Sequence, residues 1–233
     1  MRIVCVVAVL IAANLINNWL VRGPVAYVLT CVAATAVLVL IARWDGLTRA
    51  DLGLDAAGVR RGLRWAPVLA GVVLVGFLLL LAFPAGREAL RDARAADLSA
   101  GQLLWAVLVR VPLGTVLLEE TAFRGVLWAM IRRRRGTAWA TAASSLLFGL
   151  WHLLPSRGLG SANAAVGTAF GSGPAGVTAT VAVAVVAMVA AGVVLCELRR
   201  RSGSLLAPAA LHWAINGFGY ALAWAVPRWW PPA

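Results

Sequence analysis

Long apolar segments alternate with short polar turns along the whole chain of 233 residues. Each segment approaches the length of about 20 residues that a helix needs to cross the hydrocarbon core of a bilayer. The pattern predicts an all-α fold, a polytopic transmembrane helical bundle of about seven spans, within a range of six to eight. The predicted spans are residues 3–21, 25–42, 66–84, 102–131, 137–154, 177–198 and 204–226. We expect residues 1–233 to form a single integral membrane domain.

Three stretches depart from this simple alternation. Residues 102–131 are too long for one straight span, so either the beginning of the segment lies in the membrane interface or the helix is strongly tilted or broken near Pro112. Residues 47–65 mix Arg and Asp with Leu and Val, which indicates an amphipathic segment at the membrane interface. Residues 155–176 are rich in Gly, Ser and Ala, a composition typical of a loop, here one that covers or gates the bundle.

Composition and charge support a membrane location. Apolar residues make up 62% of the chain and charged residues 13%, and the net charge is +12. The basic residues are all Arg and occur in short clusters between spans, which is typical of cytoplasmic loops and not of a nucleic-acid-binding surface. Thirteen of them fall on the side of the amino terminus and six on the other side, which predicts a cytoplasmic amino terminus in the cell membrane. The Lys-free, Arg- and Ala-rich composition favours a bacterial source.

The first polar cluster within a predicted span is Glu119-Glu120-x-x-x-Arg124. Charged groups at membrane depth are unfavourable by about 2.5–3.5 kcal/mol, so each is a candidate functional residue. Glu120 and Arg124 are four residues apart and are expected to pair, whereas Glu119 points about 100° away. An unpaired Glu119 in low dielectric is suited to act as a general base. In the alternative, both glutamates share Arg124 in a packing network. We interpret Arg110 and Glu197 as structural.

Two further polar pairs contain the only histidines of the chain. Phe148 and His152 are four residues apart, as are His212 and Asn216, so each pair shares a helix face. The small Gly149 allows a neighbouring helix to approach closely. Taken alone, each pair is also compatible with hydrogen bonds that hold helices together.

The three clusters are expected to lie at a similar depth in the membrane. At about 1.5 Å per residue, Glu119 lies about 20 Å, His152 about 24 Å, and His212 and Asn216 about 17–22 Å from Arg-rich turns on the same predicted side. The sequence therefore predicts that the bundle encloses one intramembrane site formed by three helices.

The order and spacing of these motifs resemble the CAAX prenyl protease and bacteriocin-processing (CPBP, Abi) family. The resemblance covers roughly residues 100–220, which we take as the catalytic core. It implies an intramembrane endopeptidase for membrane-associated, in some members prenylated, peptides or proteins. The roles that it implies are water activation by Glu119 and His152, oxyanion stabilisation by His212 and Asn216, and support by Glu120, Arg124 and Phe148.

Several alternatives stay open at this point. Glu119, His152 and His212 form an alternative set of zinc ligands, although Asn216 and the lack of an H-E-x-x-H motif favour a mechanism without a metal or other cofactor. A non-catalytic membrane scaffold or regulator would use the same fold. A proton-coupled transporter would also place Glu and His within the membrane, but it would have matched broken helices in two halves, and the sequence contains no such repeat.

Overall fold

The computed structural model describes residues 1–231, and this part of the chain is helical with no β-strand. The all-α prediction is thus confirmed. The helices are α1 (Arg2–Leu20), α2 (Pro24–Trp44), α3 (Ala56–Leu81), α4 (Pro84–Leu90), α5 (Ala93–Ala96), α6 (Ala100–Arg135), α7 (Thr137–Trp151), α8 (Leu159–Ala162), α9 (Ala164–Phe170), α10 (Pro174–Ser202) and α11 (Leu206–Trp229).

Five helices, α1, α2, α3, α6 and α10, are long and apolar enough to cross a membrane. They correspond to five of the seven predicted spans. The other two predicted spans correspond to α7 and α11. Helix α7 has 15 residues and is therefore about 22 Å long. It is shorter than the hydrocarbon core of a bilayer, which is about 30 Å thick. The chain is a polytopic helical membrane protein.

Of the alternatives for this long segment, a break near Pro112 is not observed, because α6 runs without interruption for 36 residues. Residues Ala106–Val116 adopt π-helical geometry around the proline. The wider turn accommodates a residue that lacks an N–H donor, so the helix continues through the proline. Helix α3 begins ten residues before the predicted span at 66, because the Asp55 side chain caps it by accepting a hydrogen bond from the Gly58 amide.

The prediction of a loop over residues 155–176 is also wrong. This segment consists of a 3₁₀ turn at Pro155–Gly158 followed by α8 and α9. Asn163 explains why a helix forms here, because its side chain accepts a hydrogen bond from the Val166 amide at the start of α9. Its Nδ2 donates to the carbonyls of Ala89 and Arg91, which ties the segment to α4.

Helix α6 lies at the centre of the bundle. Every residue from 118 to 131 is buried, and a helix buried around its whole circumference must be surrounded by other helices. The neighbours of this part of α6 include α1, α2, α7, α10 and α11. The fold therefore places the first polar cluster between the two helices that carry the histidines.

Candidate active site

Glu119 occupies the middle of the site on the buried part of α6. Its side chain is 5% exposed. Trp151 donates a hydrogen bond from Nε1 to Glu119 Oε1 at 3.0 Å. The second oxygen, Oε2, is buried without a hydrogen-bond partner among residues 1–231. It lies 4.0 Å from His152 Nε2 and 3.9 Å from His212 Nε2. The two histidines of the chain thus flank one carboxylate oxygen.

The orientation of His152 is fixed by the residue one turn earlier. His152 follows the last residue of α7, and its Nδ1 lies 2.8 Å from the Phe148 carbonyl oxygen. A carbonyl only accepts hydrogen bonds, so Nδ1 carries the proton and Nε2 is left to face Glu119. The Phe148 ring also packs edge-on against the imidazole, with 4.7 Å between ring centroids. Phe148 therefore positions His152 through both its backbone and its side chain.

Glu120 and Arg124 hold His212 on the other side of the site. Glu120 Oε1 accepts hydrogen bonds from Arg124 Nη1 at 3.0 Å and from His212 Nδ1 at 2.7 Å. Both members of the ion pair are almost completely buried. The predicted pairing of Glu120 with Arg124 is observed, and Glu119 takes no part in it within the described chain. The guanidinium lies over the Phe148 ring at 3.9 Å, so one network supports both histidines.

A cavity of about 520 Å³ reaches the site, with Glu119, His152 and Asn216 in its wall. Asn216 lies one turn beyond His212 on α11, at the position that the sequence predicts. The structure thus brings Glu119, His152 and Asn216 into the wall of one cavity, and His212 lies beside it, 3.9 Å from Glu119. The cavity extends from Glu119 towards α4 and α5, where Ala89, Leu90, Asp92, Arg94 and Ala95 line it.

Sequence reasoning missed several polar residues of this cavity. Asn14, Asn17 and Asn18 of α1 line its wall. Their spacing of three and four residues within an apolar span was a usable signal, since it puts polar side chains on one helix face. Asn14 also donates to the Trp151 carbonyl at 2.8 Å. Trp151 itself was missed, although an indole N–H at membrane depth requires an acceptor.

Arg110, which the sequence analysis interprets as a structural residue, lies in the cavity wall. It lines the cavity and donates a hydrogen bond from Nη1 to the hydroxyl of Tyr220 at 3.1 Å. Its place in the cavity was not predicted, because a broken start of this span near Pro112 would have separated Arg110 from the site.

The distances between the candidate ligand atoms bear on the alternative of a zinc site. Tetrahedral zinc has bonds of about 2.0–2.2 Å to N and O ligands, which places neighbouring ligand atoms about 3.3–3.5 Å apart. The two distances from Glu119 Oε2 to the imidazoles are longer than this, at 3.9 and 4.0 Å. Within residues 1–231, no group of three or more His, Cys, Asp or Glu side chains has the arrangement of a metal site.

The structure is a helical membrane bundle in which one carboxylate is buried between two histidines, beside a polar cavity. These features define a class of membrane proteins with an intramembrane Glu–His site. The family model described as "Type II CAAX prenyl endopeptidase Rce1-like" matches residues 101–218, a range that contains all three motifs. The chain belongs to this Rce1-like family, and its membership supports an activity of the CAAX protease type. Searches of curated proteins and of solved structures gave no significant match.

Proposed function

We propose that the protein is an intramembrane endopeptidase that hydrolyses peptide bonds in membrane-associated substrates. The observation that supports this most strongly is the position of Glu119 Oε2, which is buried, unpartnered in the described chain and about equally far from the two imidazole Nε2 atoms. A carboxylate in such a position, in the wall of a cavity of about 520 Å³, is arranged for proton transfer.

In the proposed mechanism, Glu119 and His152 activate a water molecule. Their facing atoms are 4.0 Å apart, too far for a direct hydrogen bond, but one water with hydrogen bonds of about 2.8 Å bridges such a gap. Glu119 accepts a proton as the water attacks the scissile carbonyl, and this proton later reaches the leaving amine. Trp151 holds the other carboxylate oxygen, so the reactive oxygen keeps facing the water.

His212 and Asn216 are proposed to stabilise the tetrahedral oxyanion. Glu120 accepts the Nδ1 proton of His212, so the Nε2 donor that this role requires belongs to a charged imidazolium, which the Glu120 carboxylate stabilises. The Asn216 side chain supplies an uncharged N–H donor in the same wall. Fixed donors in a water-poor site act strongly on developing charge, because they do not reorient during the reaction.

An apolar groove next to the site supports a lipid-modified substrate. It has a volume of about 410 Å³, lies between α1 and α7, and includes Leu10, Phe123, Leu150 and Trp151 in its wall. Trp151 belongs both to this groove and to the polar cavity. A lipid chain in the groove would therefore lie beside the peptide that enters the cavity, as a prenylated CAAX-type substrate requires.

We further propose that this bundle lies in the cell membrane with a cytoplasmic amino terminus. Arg134 pairs with Asp45 at 2.5 Å, and Arg2 pairs with the same carboxylate at 3.4 Å. Arg199 donates to the Asp51 carbonyl. These contacts gather the amino terminus and three Arg-rich turns at one end of the bundle, which the positive-inside rule assigns to the cytoplasm.

The experiment is cleavage of a quenched lipidated peptide library by the protein in nanodiscs. We expect Glu119→Gln and His152→Ala each to lower kcat/KM by about 10²–10⁴-fold, the usual contribution of general acid–base catalysis. Glu197→Gln is the matched control, because this exposed glutamate pairs only with neighbouring arginines of α10 in the described structure.

The same assay with a strong zinc chelator tests the proposed metal-free mechanism. Cleavage should persist in chelator. Loss of cleavage that added zinc restores would instead assign Glu119, His152 and His212 as ligands. Unchanged cleavage by Glu119→Gln would show that Glu119 is not the general base. A biological activity that survives this substitution would favour a non-catalytic scaffold.

A further inference from the structure

The end of α7 carries two groups of the site, and its backbone lacks one of the usual helical hydrogen bonds. Trp151 donates to Glu119, and His152 follows it directly. In a continuing helix, the Trp151 carbonyl would accept a hydrogen bond from the amide of the fourth residue after it. That residue is Pro155, which has no N–H, and the next amide, that of Ser156, donates to the His152 carbonyl at 3.1 Å. The Trp151 carbonyl therefore requires a donor from another element.

Asn14 of α1 supplies this donor. Its Nδ2 atom lies 2.8 Å from the Trp151 carbonyl oxygen. The Asn14 residue is 9% exposed, and its Oδ1 atom accepts a hydrogen bond from Asn18 Nδ2 at 3.4 Å. Asn18 lies one turn later on the same helix and also donates to the Asn14 carbonyl, at 2.8 Å. The carboxamide of Asn14 is thus held from both sides, with its N–H₂ group at the end of α7.

We propose that Asn14 is a positioning residue for Glu119 and His152. This inference rests on the proposed protease function, and it adds α1, which lies outside the matched residues 101–218, to the parts of the chain that the reaction requires. Trp151 is bound at two points, through its carbonyl to α1 and through its indole to Glu119 on α6. Loss of the first bond frees the end of α7. The indole then moves away from one oxygen of Glu119, and the imidazole of His152 moves away from the other.

Cleavage of the quenched lipidated peptides in nanodiscs gives the first measurement. Asn14→Leu keeps the approximate size of the side chain and removes the donor. We expect kcat to fall about ten- to a hundredfold, the effect of misplacing a catalytic group by about 1 Å, and KM to change by less than about threefold. Asn14→Gln keeps an N–H₂ group and should retain more activity than Asn14→Leu.

Trp224→Phe is the matched control for this substitution. It also removes a 2.8 Å hydrogen bond from a side chain to a distant carbonyl, that of Leu98, and Trp224 does not line the cavity. Thermal unfolding should show a similar loss of stability in Trp224→Phe and Asn14→Leu. Only Asn14→Leu should lose kcat.

A second experiment observes the Trp151 indole without requiring cleavage. In protein with isotope-labelled tryptophan, Trp151→Phe identifies the Trp151 N–H resonance among those of the eleven tryptophans. We expect Asn14→Leu to move this resonance upfield, because the hydrogen bond to Glu119 weakens. Trp224→Phe should leave it in place.

Position 155 allows a test by rescue. Pro155→Ala restores an N–H four residues after Trp151, and the neighbouring Ser156 amide already donates to the carbonyl four residues before it. The new amide is therefore placed to replace the donor that Asn14 supplies. We expect Asn14→Leu to lower kcat less in the Pro155→Ala background than in the wild type.

Several results would overturn the inference. These are an unchanged kcat in Asn14→Leu, an unchanged Trp151 resonance, or a rise in KM alone, which would make Asn14 a substrate-binding residue. An equal loss of kcat in both backgrounds would show that Asn14 does not act through the Trp151 carbonyl.

Failure of this inference is distinguishable from failure of the protease function. Glu119-dependent cleavage that Asn14→Leu leaves unchanged refutes only the positioning role. A Trp151 resonance that Asn14→Leu displaces, in a protein that cleaves no peptide, refutes only the protease.

Discussion

At the residue scale, the two oxygens of the Glu119 carboxylate have different environments. Trp151 donates to one oxygen, and the other faces the two histidines. The indole N–H therefore decides which oxygen is available for proton transfer. It also connects α7 to α6 at the depth of the site.

We expect Trp151→Phe to lower kcat/KM about ten- to a hundredfold, because it removes a hydrogen bond to a charged group and retains an aromatic ring against Phe123. The measurement is cleavage in nanodiscs together with thermal unfolding. Trp139→Phe, on the exposed face of the same helix, is the control and should retain activity. Wild-type activity in Trp151→Phe would show that the hydrogen bond does not orient the base.

A second prediction at the residue scale concerns the buried pair of Glu120 and Arg124. Glu120→Gln leaves the Arg124 charge buried and unpaired, and loss of one partner of a buried pair costs about 3–5 kcal/mol. Thermal unfolding in detergent should therefore show strong destabilisation. The double variant Glu120→Gln/Arg124→Gln should be more stable than Glu120→Gln alone, because it leaves no isolated charge.

The exposed pair of Glu197 with Arg200 provides the comparison for that measurement. It has a similar helical spacing, but solvent screens it. Glu197→Gln should therefore change the unfolding temperature little. If the double variant loses as much stability as the separate substitutions of Glu120 and Arg124 together, this would contradict the view that the two residues stabilise each other.

At the scale of elements, Gly149 sets the distance between α7 and α10. A Cβ atom on Gly149 would lie 2.8 Å from the Val185 carbonyl oxygen of α10. This close approach confirms the expectation from the sequence that a small residue lets a neighbouring helix come near. Because His152 is three residues further along, the packing of these two helices also determines where the imidazole lies.

We expect Gly149→Ala to destabilise the protein by about 1–3 kcal/mol, the usual effect of overpacking. It should also lower activity, because α7 must shift and displace His152. Gly76→Ala on α3 is the matched control, since a Cβ atom there would meet no other atom within 4 Å. This control should be neutral or slightly stabilising, because Ala favours a helix more than Gly does. An unfolding temperature of Gly149→Ala equal to that of the control would contradict the prediction.

At the scale of the whole molecule, Arg2 and Arg134 meet at Asp45, whereas the cavity is lined by Asn17 and Asn18 at the other end of α1 and by residues of α4 and α5. Thr48 is exposed near the Arg-rich turns, and Ser161 is exposed on α8, two residues before the cavity residue Asn163. With a cytoplasmic amino terminus, a membrane-impermeant maleimide should label Ser161→Cys on intact cells. Thr48→Cys should react only after lysis.

The reverse labelling would show that the proposed orientation is wrong. It would place the end of α1 that carries Asn17 and Asn18 on the cytoplasmic side. The result therefore also identifies the face of the membrane on which this end of the bundle lies.

The sequence by itself determined the helical class, the approximate positions of the seven apolar helices and the identities of the motif residues. It could do so because membrane helices satisfy their own backbone hydrogen bonds, so their lengths and their few polar positions are local properties. The pairing of Glu120 with Arg124 follows from the same local geometry, since the two residues lie one turn apart on one helix.

Only the tertiary structure decided which side chains of different helices meet. The hydrogen bond from Trp151 to Glu119, the contact of His212 with Glu120 and the exposure of Arg110 to the cavity depend on how α6, α7 and α11 are rotated against each other. Helix rotation is set by packing of the entire bundle, including the π-helical stretch around Pro112 and the close contact at Gly149. Such long-range geometry is not encoded in the spacing of any single segment.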